Sequence, residues 1–201
     1  RGLGDVYKRQ AVVTVGTQAD DTEAINQYQV AYNLSADSWS GFFGQNNNRY
    51  SGSNNTTYYL QDSWVAATYT NSYTTLLSSW KKIKQESEKN ETPEIFALAQ
   101  ILKISAWHKT LESFGPIPYT HAGEPALVIP FDSEQVAFNA MFTDLTAAIE
   151  ALTVREEQGA TIVADYDAVY AGDTRKWVKY ANSLMLRLAT VSYTHLTLPT
   201  I

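Results

Sequence analysis

The chain has 201 residues, a formal net charge of −6 and no cysteine. Hydrophobic residues make up 44% and charged residues 18%, so a sizeable core can be buried while Asn, Ser, Thr, Gln and Tyr supply much of the polar surface. An acidic balance without a long basic run argues against nucleic-acid binding, no run of about 18 apolar residues offers a membrane-spanning helix, and the lack of thiols excludes disulfides, thiolate zinc sites and cysteine nucleophiles.

Residues 1–10 carry no helical or strand period, and residues 191–201 follow an amphipathic helix and lose its period. Both tails resemble translated adapter DNA and are expected to be non-native, which leaves 11–190 as the natural part, expected to be the N-terminal part of a helical domain. Tyr193 and His195 fall in the second tail and carry no functional weight. The spacing predicts a first helix over 22–33, with Ile25, Tyr28 and Tyr32 on one side. A longer one is expected over 62–86, with Tyr69, Tyr73, Leu76, Leu77, Trp80 and Ile83 along one face. Lys81, Lys82 and Lys84 lie near its C-terminal end, where the helix dipole favours cations, and read as a solvated end rather than a phosphate site.

The next helix is expected over 92–114. Thr92 is placed to cap it and Pro93 sits at its first position, where a missing N–H costs nothing. Ile95, Leu98, Ala99, Leu102, Ala106 and Trp107 form its inner face, and Gly115-Pro116 stops it. Over 132–152, Phe138, Met141, Phe142, Leu145, Ala148, Ile149 and Leu152 repeat at helical spacing. Asp132 is the expected N-cap, with Gln135 completing a capping box and Phe131 stapling onto Val136. A last helix is expected over 173–189, capped by Asp173, with Trp177, Tyr180, Ala181, Leu184 and Leu188 on one face. No strand is expected beyond a short one at 160–164. The fold class is therefore all-α. Stacked helical hairpins of tetratricopeptide-like type with long loops are the natural architecture, although no clean repeat of about 34 residues can be seen.

Chemistry-bearing signals are few. His108 sits in a helix beside Trp107 and His121 in a loop, each without a second histidine to make a metal pair. No GxSxG, HExxH, GxxxxGK[ST] or GxGxxG pattern occurs. The carboxylates Asp165 and Asp167, in a loop without the Asp-x-Asp-x-Asp-Gly spacing of a calcium site, give no ground for hydrolysis or metal binding. Nothing points to catalysis or to a cofactor.

The segment from Tyr28 to Trp80 is denser in aromatics than the 12% of the whole chain. It contains QNNNRYSGSNNTTYY, Gln45 to Tyr59, loop-forming by composition. Amides, hydroxyls, an Arg and flat rings together suit a sugar, whose C–H face packs on Trp or Tyr and whose hydroxyl rim exchanges hydrogen bonds. Asn-rich loops are also ordinary turn material and Trp is commonly core. On side-chain chemistry alone the candidate ligand residues are Asp37, Trp39, Arg49, Tyr50, Tyr58, Tyr59 and Trp64.

Three further stretches read as a set: AQILKISAWHKTLESFGPIPYTHAG (Ala99 to Gly123), PFDSEQVAFNAMFTDLTAAIEAL (Pro130 to Leu152) and DYDAVYAGDTRKWVKYANSLMLRLA (Asp165 to Ala189). In this order, with NLSADSWSGFF (Asn33 to Phe43) upstream, the chain resembles the SusD/RagB family of nutrient-binding outer-membrane lipoproteins over roughly 22–189. The resemblance implies a mostly helical fold on tetratricopeptide-like pairs with a loop-rich second half, and a ligand site that draws on both halves, of which this chain is expected to hold only part. It implies a lipid anchor on an N-terminal cysteine, absent here, at the extracellular face of the outer membrane. It also implies a SusC-like TonB-dependent transporter as partner, and binding of oligosaccharide, or sometimes peptide, without catalysis. A helical-repeat scaffold for protein partners is a further alternative. The family stretches themselves read as architecture: Phe114 to Tyr119 as a fixed turn, Gly172-Asp173 as a helix start docked by Trp177, and Asn182, if buried, as a link from helix to loop.

Overall fold

The computed structural model describes residues 29–42, 44–46 and 49–197. The expected helix over 22–33 lies partly outside them; what is described is a π-helical segment, α1 (Gln29–Asp37). The next helical stretch opens with α2 (Asp62–Asn71), passes through a π-turn (Ser72–Leu76), and continues as α3 (Leu77–Asn90). The π-turn has a local cause. The Ser72 hydroxyl donates to Thr68 O at 2.9 Å and meets Thr110 Oγ at 2.8 Å, while Ser72 O accepts the Trp107 indole N–H at 3.2 Å. A widened turn lets one serine bind both its own helix and the neighbouring one.

Three long helices follow: α4 (Pro93–Phe114), α5 (Glu134–Glu157) and α6 (Thr174–Thr197). Each of α3 to α6 packs on its chain neighbours, α3 on α4, α4 on α5 and α5 on α6, which is the stacked-hairpin arrangement. Among the described residues there is no strand, only isolated bridges at Ile117–Asp132 and Thr161–Asp173. The short strand allowed at 160–164 is thus a single bridge beside a 3-10 turn (Ala164–Tyr166).

Helix α4 is the centre of the stack. Residues 97–108 are buried without a break, so the helix has no water-facing side there, because α3, α5 and α6 enclose it. Leu98, Ile101, Ile104, Trp107 and Leu111 share one buried core with Leu76 and Ile83 and with Phe138, Met141 and Leu145 of α5. Trp107 is wholly buried, and truncation of such a ring costs about 3–5 kcal/mol.

Helix ends differ from the sequence reading in instructive ways. Pro93 does open α4, but the Thr92 hydroxyl donates to Ser87 Oγ at 3.3 Å and caps nothing. The α5 cap is Ser133, not Asp132: the Ser133 side chain accepts from Val136 N at 3.3 Å. Asp132 is drawn away because its carboxylate accepts from Tyr119 N at 2.8 Å, Thr120 N at 2.7 Å and Thr120 Oγ at 2.8 Å. With the cap shifted by one residue, Phe131 and Val136 no longer stand at staple positions, and both are exposed. Helix α6 runs to Thr197, past the loss of period at Val191. Asn182 is exposed and donates to Val178 O within α6 at 2.9 Å, so it links nothing to a loop.

Candidate binding site

The aromatic and amide segment between α1 and α2 is a tight loop built by its own polar side chains. Asn54, 4% exposed, is its hub. Its Nδ2 donates to Gln45 Oε1 at 2.7 Å, its Oδ1 accepts from Thr56 N at 2.9 Å, and its carbonyl accepts from Thr57 N and Tyr59 N. Gln61 Nε2 closes the segment by donating to Ser53 O at 2.8 Å. These amides hold the loop, rather than standing ready for a ligand as the composition suggested.

What the loop offers outward is rings. Tyr50, Tyr58 and Tyr59 are 48%, 76% and 53% exposed. Tyr50, Ser51 and Tyr58 have positive φ, at 70°, 50° and 58°, a conformation that costs a non-glycine residue about 1–3 kcal/mol and concentrates at functional sites. Tyr50 packs edge-on against half-buried Trp64, with centroids 5.4 Å apart. The Tyr58 hydroxyl donates to Trp39 O at 3.2 Å, which sets that ring beside the end of α1. The Trp39 indole N–H is shielded from solvent and finds no acceptor among the described residues.

The remaining candidates separate. Asp37 accepts from Asn33 Nδ2 at 2.8 Å and its charge acts on Lys109 of α4, so it faces the stack rather than the rings. Arg49 opens a 3-10 turn (Arg49–Gly52), and its side chain lies outside what is described. The structure therefore joins Tyr50 to Trp64 and Tyr58 to Trp39, with Tyr59 exposed nearby in the chain.

His108 and His121 are engaged elsewhere. His108 pairs its Nδ1 with Ile104 O at 2.9 Å and accepts from Arg187 Nε at Nε2, 3.1 Å. Burial pushes its pKa down, against Ile104 O and Glu112, so the ring is a neutral bridge between α4 and α6. His121 sits 3.0 Å from Glu124 on the surface. Asp167, buried, accepts from Val169 N, Tyr170 N, Gly172 N and Trp177 Nε1, and so docks the start of α6. Among the described residues no cluster could hold a metal ion.

A second concavity was missed by the sequence reading. A cleft of about 490 Å³ opens between α3, α4 and α5, lined by Trp80, Gln100, Lys103, Tyr119 and Asp144. Trp80 Nε1 donates to Gln100 Oε1 at 2.6 Å, Gln100 Nε2 donates to Asp144 Oδ2, and the Tyr119 hydroxyl donates to the same oxygen at 2.7 Å. Burial, then the Asp144 charge, push the Tyr119 phenol well above its usual value. The turn at Phe114 to Tyr119 delivers this tyrosine: Gly115, at φ 73°, ends α4, and Tyr73 OH donates to Pro118 O at 3.1 Å. The signal available in the sequence was a lysine in an apolar helical run, at i+4 from Ala99 and i+3 before Ala106.

A sequence model of the family described as Susd and RagB outer membrane lipoprotein matches residues 6–197. The chain belongs to the SusD-like family. A chitin-binding SusD homolog from Flavobacterium johnsoniae is 31% identical with a TM-score of 0.82, over 96% of this chain and 39% of that one. A SusD homolog from Bacteroides uniformis ATCC 8492 is also 31% identical with a TM-score of 0.82, over 97% of this chain and 38% of that one. A SusD-like protein from Bacteroides thetaiotaomicron VPI-5482, at 24% identity and TM-score 0.78 over 96% of this chain and 38% of that one, shares the fold. This SusD-like chain thus spans about two fifths of the length of these structures. No curated protein matches it. The family is one of outer membrane lipoproteins; among the described residues no helix is long and apolar enough to cross a membrane.

Proposed function

We propose that this chain is part of a surface protein that binds oligosaccharide and hands it to a SusC-like TonB-dependent transporter. Binding rather than catalysis is the role. In the full-length protein a lipid anchor holds it at the extracellular face of the outer membrane. The observation that carries the reading is the loop of outward tyrosines, Tyr50, Tyr58 and Tyr59, with Tyr50 backed by the Trp64 ring, Tyr58 tied to the Trp39 carbonyl, and the loop held by its own amides. Such rings offer flat apolar faces to the C–H side of a sugar and a phenol to its hydroxyls. Family membership and a chitin-binding homolog at 31% identity support a glycan, and chitin oligomers are the first ligands to try.

Affinity electrophoresis against a panel of soluble glycans tests the proposal. Retardation by one or more glycans, relieved when Tyr58 and Tyr59 are changed to alanine, is the expected result. No retardation by any glycan, with binding of peptides instead, would move the ligand to another class.

A further inference from the structure

The cleft between α3, α4 and α5 has chemistry that the oligosaccharide reading leaves unused. Its volume of about 490 Å³ falls within the usual range for ligand pockets, about 300–1,000 Å³. Lys103, 3% exposed, lines it. The ammonium stands 4.1 Å from the centre of the Trp80 ring, 4.2 Å from that of Tyr119 and 5.0 Å from that of Trp107. Ring faces attract a cation but supply no lone pair along each N–H. Among the described residues no oxygen accepts a hydrogen bond from this ammonium, and no carboxylate lies within ion-pair distance of it. Asp144 acts on it only through space, and its Oδ2 already accepts from Tyr119 and Gln100.

The charges do not balance. Lys103 and Lys84, whose ammonium lies 5.6 Å from the Trp80 ring, face one carboxylate, Asp144. Lys84 is exposed and solvated, so the buried cation is Lys103; among the described residues its ammonium has no ion-pair partner within reach, and an unpaired buried ion is costly. The rest of the wall is largely apolar, with alanines of α5 along it.

We propose that this cleft binds a small organic carboxylate, whose oxygens accept from Lys103 Nζ while its carbon body lies against Trp80 and the alanines of α5. A monoanion brings the Lys103 ammonium both a countercharge and the acceptors that the ring faces lack; a neutral ligand brings only acceptors. Burial lowers the Lys103 pKa to about 8, with Asp144 opposing, so the ammonium is charged at neutral pH. The proposal goes beyond the oligosaccharide reading and does not depend on it.

Calorimetric titration of the whole chain with acetate, benzoate and glucuronate, each against its neutral counterpart acetamide, benzamide or glucose, tests this. At least one carboxylate should bind tenfold or more tightly than its counterpart. That preference should vanish in Lys103→Met and survive in part in Lys103→Arg. Asp144→Asn, which removes the opposing charge but keeps an acceptor for Tyr119, should tighten carboxylate binding several-fold. Equal affinity for all three pairs, or an undiminished preference in Lys103→Met, would overturn the proposal. Should Lys103→Met not fold, unchanged or weaker carboxylate binding in Asp144→Asn would do so. Glycan retardation of Lys103→Met should match the unaltered chain, so failure here and failure of the oligosaccharide reading are told apart.

Discussion

Asp167→Asn is expected to destabilise the fold markedly although it keeps the shape of the side chain. The carboxylate, 6% exposed, divides its work evenly. Oδ1 accepts from Val169 N at 2.9 Å and Tyr170 N at 3.1 Å, while Oδ2 accepts from Gly172 N at 2.8 Å and Trp177 Nε1 at 2.6 Å. Asparagine has a single acceptor oxygen. Whichever way its amide turns, its NH₂ confronts one of these donor pairs. Two N–H groups are then orphaned at about 1–3 kcal/mol each, and the bonds that remain lose the charge that strengthened them. A loss of about 2–6 kcal/mol is expected, a large part of the roughly 5–15 kcal/mol that holds a typical domain. Urea unfolding followed by tryptophan fluorescence and far-UV circular dichroism at pH 7 reads it directly, provided the m-value is unchanged. A midpoint for Asp167→Asn within about 0.5 kcal/mol of the unaltered chain would refute the reasoning, since it would mean that these donors find water or other partners.

Other expectations follow from the same geometry. Gly172→Ala should destabilise by about 2 kcal/mol or more, because φ is 77° and a Cβ would stand 2.7 Å from Ile162 O; a thermal melt matching the unaltered chain would contradict it. Lys103→Met should raise stability at pH 7, since burial holds the Lys103 pKa at about 8 against 10.5 unfolded. The unfolded chain binds the extra proton between those values, so the lysine's penalty, roughly 3 kcal/mol at full strength below pH 8, fades as pH rises towards 10.5. The groups facing it are Lys84, Asp144 and Tyr119. Urea midpoints of the two chains should therefore converge between pH 8 and 10; a gap that is constant or widens would argue against this. Trp64→Ala should weaken glycan binding about tenfold by removing the support for Tyr50, and unchanged retardation on a glycan gel would show that Tyr50 needs no such backing.

The helices were legible because their apolar residues recur at helical spacing and their stops are chemically loud. Pro93, Gly115 and the Phe138 to Leu152 series each place an element correctly. The errors sit where a polar side chain had two possible partners. Asp132 reads as a cap, yet the turn before α5 offers it the N–H groups of Tyr119 and Thr120, and it takes those. Burial pushes its carboxyl up, but these donors outweigh that and hold it below the ordinary range. Neighbours that close only in three dimensions leave no mark in a linear pattern. The same holds for the ligand residues. Ring density along the chain marked the loop, and Tyr50, Tyr58 and Tyr59 do face outward, but the pairing of Tyr58 with Trp39 and the inward turn of Asp37 depend on how the loop folds back on α1. Lys103 was hidden by its own setting: within a stretch expected to be half-buried it reads as surface, and only the enclosure of α4 on all sides makes it a buried cation.

The central claim is that rings outside the helical stack, held by the loop's own amides, grip a sugar. Isothermal titration of the chain with chitohexaose, beside a variant carrying Tyr50→Ala, Tyr58→Ala and Tyr59→Ala together, tests it most directly. Saturable heat from the unaltered chain, lost in the triple variant while its urea midpoint stays put, is the predicted result. Identical binding isotherms for the two proteins would contradict the account.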